Sequence, residues 1–246
     1  MRTLAIRSVI FAALGCGVLA PQAHAAPILT AGYETQLETW LGLGPLDFTN
    51  IFTKSGPTDT TAMWHAAVDG QGSTISLLEA TDSAGDMYVI GGYAPQSWDS
   101  FGNYHYTYTD LERTAFIFNL TTSALRPQRL TADPYCGGCG QYQTYNHIVF
   151  GPTFGGGHDL HVGYGSTGYE GLNGGYENAW GYGPGYVGLL PLNSYGGYYD
   201  YFTIGALETY TFASTSAQPV PEPTSLLLLG TGAAALLRRR RSSLRK

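Results

Sequence analysis

Five histidines lie between the two ends of the chain and are the side chains best suited to acid–base or metal chemistry: His65, His105, His147, His158 and His161. His158 and His161 stand three residues apart at the start of a predicted strand. Because successive side chains of an extended chain alternate between opposite faces, this spacing predicts that the two rings point apart and do not share a metal ion. His65 follows Trp64 at a helix end and is predicted to be packed rather than to act as a base. The sequence contains no HExxH or GxSxG motif.

Carboxylates are the second set of candidate catalytic groups. Three of them adjoin predicted strands: Asp86, Asp159 and Glu208. Such a carboxylate usually caps a turn or faces water, whereas a partly buried one with a raised pKa can act as an acid or a base. Apolar residues flank Glu208, which makes it the candidate catalytic residue. The sequence shows no catalytic constellation around it and favours a protein that binds rather than one that catalyses.

The N-terminus has the organisation of a secretory signal. Arg2 and Arg7 precede an apolar run of 13 residues (8–20). The small residues Ala23 and Ala25 follow at the positions that a signal peptidase inspects. We predict that residues 1–25 are a signal peptide cut after Ala25. The apolar run is too short as a helix to cross a bilayer core of about 30 Å, which disfavours a permanent anchor. Cleavage before Cys16, as in a lipoprotein, is the alternative.

The C-terminus combines Pro221, Glu222 and Pro223 with an apolar segment (224–237) and a basic block (238–241). The apolar segment would span only about 21 Å as a helix, and its basic flank should stay cytoplasmic, so we predict a transient membrane association. A weak tail anchor is the alternative. The segment closely resembles the PEP-CTERM sorting signal of Gram-negative bacteria, which an exosortase recognises and processes. That resemblance implies export past the inner membrane, often alongside exopolysaccharide production.

The segment between these ends, residues 26–218, is predicted to be one folded domain, with residues 219–246 as the sorting tail. It holds four basic residues against 17 acidic ones, a net charge of −13. Such a surface argues against nucleic acid and anionic lipid as partners and favours cations or neutral glycans. No cofactor and no metal site are predicted, with stabilisation by calcium as the alternative.

Cys136 and Cys139 are the two cysteines of this domain and are separated by two glycines. They could form a structural disulfide, half of a zinc site or a redox pair. Zinc needs about four ligands and no second cysteine pair is present. A redox pair would open a helix, whereas the glycines indicate a loop. Export to an oxidising compartment favours the disulfide.

Hydrophobic periodicity predicts two short helices, at 33–41 and 60–68, followed by a series of short strands. The turn chemistry of residues 82–86 predicts a hairpin between the first two strands. The strands are predicted at 74–79, 87–90, 104–108, 115–120, 147–150, 160–164 and 206–212. The pattern predicts an α+β, mainly β fold, a sandwich of two antiparallel sheets flanked by two or more short helices.

A segment of biased composition, 163–201, contains 12 glycines and nine tyrosines in 39 residues. One interpretation is a long glycine-rich surface excursion, because glycine is costly to order. The other is an adhesive or carbohydrate-stacking surface, because tyrosine has a flat apolar face and a polar tip.

Five segments of the domain, in this order and spacing, resemble the TLDc domain, a family that includes the eukaryotic oxidation-resistance proteins. They are WHAAVDGQGSTISLLEA from Trp64, VIGGYAPQSW from Val89, AFIFNL from Ala115, GPTFGGGHDLHV from Gly151 and IGALETYTF from Ile204. The resemblance covers roughly residues 33–212 and implies a sandwich of antiparallel sheets with short helices. It implies no agreed reaction. Eukaryotic members bind the vacuolar proton pump, a partner that an exported bacterial protein does not meet.

Three functions follow as hypotheses. The first is an exported, non-catalytic binding or structural module, sorted by an exosortase to the periplasm, outer surface or extracellular matrix, with exopolysaccharide or other surface glycans as partners. The second is an enzyme or oxidative-stress-protection factor that uses Glu208 or His158. The third is a calcium-stabilised adhesin, suggested by the net charge.

Overall fold

The computed structural model describes residues 26–134, 136–164, 170–177, 182 and 200–215. The predicted signal peptide with Ala23 and Ala25, the sorting tail with its Pro-Glu-Pro motif, and most of the glycine- and tyrosine-rich segment lie outside the described residues. Within those ranges, no helix is long and apolar enough to cross a membrane.

Two helices form where the sequence predicts them. Helix α1 (Ala31–Leu41) begins after Thr30, whose hydroxyl accepts a hydrogen bond from a backbone N–H of the first turn, and ends at Gly42 in the left-handed region. Helix α2 (Thr61–Val68) has the same kind of cap at Thr60. A threonine cap satisfies one of the N–H groups that lack a partner at a helix start, which fixes where each helix begins.

The described residues also form ten strands, and all pairings between these strands are antiparallel. Two short 3-10 turns, Asp110–Glu112 and Cys139–Gln141, lie in the loops. Eight of the strands form one large sheet in the order β6-β5-β3-β2-β10-β9-β8, with β1 also paired to β10, and β4 and β7 form a small sheet. Their bounds are β1 (Leu46–Thr53), β2 (Thr74–Thr81), β3 (Met87–Ala94), β4 (Phe101–Tyr106), β5 (Phe116–Asn119), β6 (Ala124–Pro127), β7 (Tyr142–His147), β8 (Leu160–Tyr164), β9 (Gly174–Glu177) and β10 (Asp200–Ser214). The prediction of a mainly β protein with short helices is therefore confirmed.

The large sheet buries apolar side chains on both faces. On β2, Leu78 belongs to a core cluster built around Trp64 of α2, whereas its neighbour Leu77 belongs to a second cluster built around Leu37 of α1. Trp98 and Phe154 also belong to the first cluster, with ring centroids 5.4 Å apart and planes at 90°. Both faces of the large sheet are therefore covered by apolar side chains. Its strands are richer in apolar residues than a strict alternation of apolar and polar residues predicts, because each face packs against a core cluster.

Two glycines of the VIGGY segment mark close packing in β3. A Cβ on Gly91 would overlap the carbonyl oxygen of Ser76 and approach the ring of Phe118, and a Cβ on Gly92 would lie 2.5 Å from the ring of Phe154. The sheet can bring these aromatic rings against its backbone only where side chains are absent. This motif therefore serves packing rather than ligand binding.

Part of the glycine- and tyrosine-rich segment belongs to the folded core. Leu172 and Tyr182 are buried, β9 pairs with β8 and β10, and the hydroxyl of Tyr182 donates a 2.7 Å hydrogen bond to the carbonyl of Gln143. The interpretation of the whole segment as a surface excursion is wrong for these residues. Glycine suits β9 because a Cβ on Gly175 would overlap the carbonyl of His161.

Candidate ligand-binding surface

The small sheet places four tyrosines side by side. Tyr104 and Tyr106 are two residues apart on β4, so they share a face, and they pair across the sheet with Tyr145 and Tyr142 of β7. The ring of Tyr104 lies 4.6 Å from that of Tyr145 and 5.0 Å from that of Tyr142. Tyr108 continues the row by stacking on Tyr106. The alternation of tyrosines along β4 is visible in the sequence and indicates a shared face. The sequence does not indicate that β7 is the partner strand.

The prediction that His158 and His161 point apart is wrong. Their rings stack with centroids 5.1 Å apart and planes at 18°. The prediction assumed an extended chain, whereas His158 has a φ of 66° and lies just before β8 begins at Leu160. A residue in the left-handed region does not follow the alternation of side chains along an extended chain. The loop of sequence GGGH (155–158), which we call the GGGH loop, therefore brings both imidazole rings to one side.

These histidines join the tyrosines into a continuous row of ring contacts. Tyr145 stacks on His158 at 5.3 Å, and the Nδ1 of His158 is hydrogen-bonded to the hydroxyl of Tyr176 at 2.8 Å. His161 lies 4.5 Å from the ring of Tyr176, and Tyr176 lies 5.8 Å from that of Tyr201 on β10. Burial lowers the pKa of His158 to about 4.

We call this row of ring contacts the aromatic band. Its members are Tyr104, Tyr106, Tyr108, Tyr142, Tyr145, His147, Phe150, His158, His161, Tyr176 and Tyr201. Exposure is greatest at its two ends, where Tyr108 is 81% and Tyr201 58% exposed.

The second histidine of the stacked pair also has a lowered pKa. Burial, and then the neighbouring His158, lower the pKa of His161 to about 3. Both histidines are therefore neutral at neutral pH and weak as general bases. His158 is partly exposed, whereas His161 is buried with its Nδ1 3.2 Å from the hydroxyl of Thr153.

Glu208, the candidate catalytic residue, occupies a different place. It is buried, and its Oε2 accepts hydrogen bonds from the backbone N–H of Ile28 at 3.0 Å and from the hydroxyl of Tyr210 at 2.5 Å. Burial, followed by the hydrogen bond to Glu208, raises the pKa of Tyr210. Glu208 lies seven residues along β10 from Tyr201, roughly 20 Å at the rise of a strand. These contacts fix the segment before α1 to the sheet, and Glu208 is not part of the aromatic band.

The other two carboxylates have structural surroundings. Asp159 is buried, and its Oδ1 accepts a hydrogen bond from the backbone N–H of Tyr182. Asp86 is exposed in the turn between β2 and β3, where its backbone N–H donates to the carboxylate of Asp82. Neither side chain belongs to the aromatic band.

Three residues of the types found in a serine hydrolase lie together, but their hydrogen bonds follow another order. The hydroxyl of Ser100 donates to Asp69 rather than to His65. His65 is buried, as predicted, with Nδ1 facing Asp69 at 2.6 Å and Nε2 facing the backbone carbonyls of His147 and Phe150. In a catalytic triad the imidazole must accept the proton of the serine. Here the imidazole instead ties α2 to the end of β7.

Cys136 and Cys139 form a disulfide in the loop before β7. The buried guanidinium of Arg113 holds this loop, because its Nη1 donates to the carbonyls of Gly137 and Arg129. Across the described ranges, no group of three or more His, Cys, Asp or Glu residues is placed to hold a metal ion. The calcium hypothesis stays a prediction.

The described fold and its surface define an antiparallel, mainly β domain with an aromatic face. Residues 53–212 match the family model of the TLDc domain, and residues 219–241 match that of the PEP-CTERM protein-sorting motif. Because the first match spans 160 of the 246 residues, the chain belongs to the TLDc domain family. Its sorting motif implies exosortase-dependent export to the cell envelope of a Gram-negative bacterium. No curated protein sequence matches the chain.

Proposed function

We propose that this chain is a non-catalytic polysaccharide-binding module of the cell surface or extracellular matrix. The observation that carries the proposal is the aromatic band, which combines seven tyrosines, the two stacked neutral histidines His158 and His161, a third histidine and a phenylalanine. In this proposal residues 1–25 are removed after Ala25, residues 26–218 form the binding domain, and residues 219–246 are the signal that an exosortase processes.

Tyrosine suits carbohydrate recognition on physical grounds. Its ring buries a large flat apolar area, its hydroxyl keeps a polar tip in water, and fixing it restricts only two side-chain torsions. The C–H face of a pyranose ring is also flat and apolar, and hydroxyl groups surround it. Tyr104, Tyr106 and Tyr142 stand within one ring width of one another, with centroid distances of 5.0 to 6.0 Å. Several neighbouring rings at this spacing can contact successive sugar units, so we propose a polymer rather than a small molecule as the ligand.

Charge directs the proposal to neutral polysaccharides. The domain has a net charge of −13, and two of its four basic residues, Arg113 and Arg129, are buried. Arg129 is bound to Asp133 through both carboxylate oxygens, and Arg113 binds backbone carbonyls. These guanidinium groups are therefore occupied inside the domain, and an acidic polymer would meet a repulsive field.

We further propose that β4 and β7 form the second layer of a sandwich and hold the tyrosines outward. Support comes from the burial of Gln143, Thr144 and Asn146 on β7. Thr144 also forms a bridge to Phe154, a member of the core cluster around α2. The small sheet is thereby joined to the large one through packed and hydrogen-bonded groups.

The proposal predicts that replacing Tyr106 and Tyr108 together by alanine weakens binding of a neutral polysaccharide roughly 10- to 30-fold, because each lost ring contact contributes about 1 kcal/mol. Exopolysaccharide purified from the producing bacterium is the probe, and affinity electrophoresis gives the dissociation constant. Met63→Ala, which removes an exposed apolar side chain outside the aromatic band, should leave the affinity unchanged. Equal affinities of the double variant and the parent protein would exclude the aromatic band as the binding surface.

The sorting part of the proposal is tested by removing residues 219–246. The full chain should be found with the envelope or matrix fraction, and its intact mass should show that residues 1–25 are missing. The shortened chain should leave that fraction, because it no longer carries the motif that the exosortase reads. Finding both chains in the same fraction would contradict the proposed role of the tail.

A further inference from the structure

A pocket of about 280 Å³ lies next to the aromatic band and has no role in the fold described above. Three segments line it: the turn after β2 (81–83), the start of β9 (173–175) and the first half of β10 (201–203). Its wall at Tyr201 touches Tyr176, so the pocket adjoins one end of the aromatic band.

We propose that this pocket binds a single pyranose ring that carries hydroxyl or ammonium donors and no carboxylate, as an end or branch unit of the polysaccharide held by the aromatic band. The inference rests on the proposed function and deepens it, because it adds a subsite and restricts the sugar class.

The size and surface of the pocket fit one sugar ring. Small-molecule sites usually enclose about 300 to 1,000 Å³, so this pocket lies at the lower limit. Gly174 and Gly175 contribute backbone without side chains, and the rings of Tyr201 and Phe202 supply apolar surface. Gly175 has no room for a side chain, since a Cβ there would also lie 3.0 Å from the ring of Phe202. The floor of the pocket is therefore set by close packing.

A fixed carboxylate gives the pocket its chemical preference. Asp82 is 8% exposed, and its Oδ1 accepts hydrogen bonds from the backbone N–H groups of Ala84 at 2.8 Å and Asp86 at 2.9 Å. These two bonds hold the carboxylate in one orientation before any ligand arrives, which lowers the entropy lost on binding. The remaining lone pairs of Asp82 can accept donors from a ligand.

The other polar side chains among the described residues of the lining are hydroxyls and an amide, and none of these described residues is a lysine, arginine or histidine. A sugar hydroxyl or ammonium group can donate to Asp82, whereas a uronic acid would place its carboxylate beside that of the protein. Repulsion between the two charges, without a neighbouring cation, should exclude the acidic sugar.

The test is saturation-transfer NMR and titration of the mature protein with methyl glycosides of glucose, galactose and mannose, with glucosamine, and with glucuronic acid. At least one of the neutral or amino sugars should bind with a millimolar dissociation constant, and glucuronic acid should not bind. Asp82→Asn keeps the acceptor oxygen that the turn needs and should weaken the sugar about tenfold. Asp86→Asn, in the same turn but with an exposed side chain, is the matched control and should bind as the parent does.

If Asp82→Asn folds poorly, a second variant tests the same proposal. Thr203→Val removes a lining hydroxyl on β10, where valine suits a strand, and should also weaken the sugar. Unchanged affinity of both variants, or equal binding of glucuronic acid, would overturn the pocket assignment.

The two proposals fail in different ways. The Tyr106→Ala/Tyr108→Ala variant should bind the polysaccharide more weakly by the factor given above but should bind the monosaccharide as the parent does, because the pocket is intact. A parent protein that binds polysaccharide through the aromatic band but no monosaccharide would refute the pocket alone. Monosaccharide binding together with an unaffected double variant would refute the aromatic band alone.

Discussion

Replacing Gly155 by alanine should lower the free energy of unfolding by about 3 kcal/mol or more. Gly155 has a φ of +84°, a left-handed conformation that costs alanine about 1 to 2 kcal/mol. A Cβ at this position would also overlap the carboxylate of Asp159, which is fully buried and cannot move into solvent. The two penalties add because one acts on the backbone and the other on packing.

Gly85→Ala separates these two causes. Gly85 has a φ of +91°, but no atom lies within 4 Å of a Cβ built there, so only the backbone penalty applies. Urea denaturation followed by tryptophan fluorescence should show a loss at Gly155 that exceeds the loss at Gly85 by about 1 kcal/mol or more. Equal losses would mean that Asp159 moves aside freely, against the packing described for the GGGH loop.

Acidification from pH 7 to pH 5 should destabilise the domain by roughly 2 to 4 kcal/mol through His158 and His161. Burial lowers the pKa of His158 to about 4 and that of His161 to about 3, whereas an unfolded histidine titrates near 6.5. Between these values the unfolded chain binds more protons than the folded one. Stability is therefore complete above about pH 6.5 and is lost as the pH falls towards 4.

Calorimetric unfolding at several pH values measures this dependence. His161→Phe keeps an aromatic ring but cannot take a proton, so about half of the pH dependence should disappear. Tyr145→Phe alters the same cluster without removing a histidine and should retain the full dependence. The parent protein melting at the same temperature from pH 7 to pH 5 would contradict the burial of the two imidazoles.

The sequence predicted the elements whose signals are local. The helices predicted at 33–41 and 60–68 depend on hydrophobic periodicity among neighbouring residues, and in the structure Gly42 and Thr60 cap them. The Asp82–Asp86 turn between two apolar strands is a hairpin signal that the structure confirms. Such signals depend on a few neighbouring residues, which is why the fold class was predictable.

Elements that depend on distant partners were missed or misplaced. β7 was predicted at 147–150 but spans Tyr142–His147, because its buried side chains are polar and hide the usual alternation. β1, β6 and β9 were not predicted, and β9 is a four-residue strand that carries two glycines and pairs with β8 and β10. Strand formation there depends on neighbouring backbones that a single sequence does not show.

The aromatic band was only half visible for the same reason. The alternating tyrosines of β4 indicated a shared face, but no pattern in the sequence indicated that β7 lies beside it. The stacking of His158 on His161 depends on a left-handed non-glycine residue, which spacing rules do not anticipate.

β10 has a mechanical consequence for a protein sorted through its C-terminus. This 15-residue strand pairs with β2 on one side and with β9 and β1 on the other, and its last residue, Ser214, precedes the sorting motif by only four residues. A pulling force on that end would load the hydrogen bonds to β1 and β2 in shear, so several must break together before the strand slides. Among the described strands, the one paired with three neighbours is thus the one that would carry a force applied at the C-terminal end of the domain.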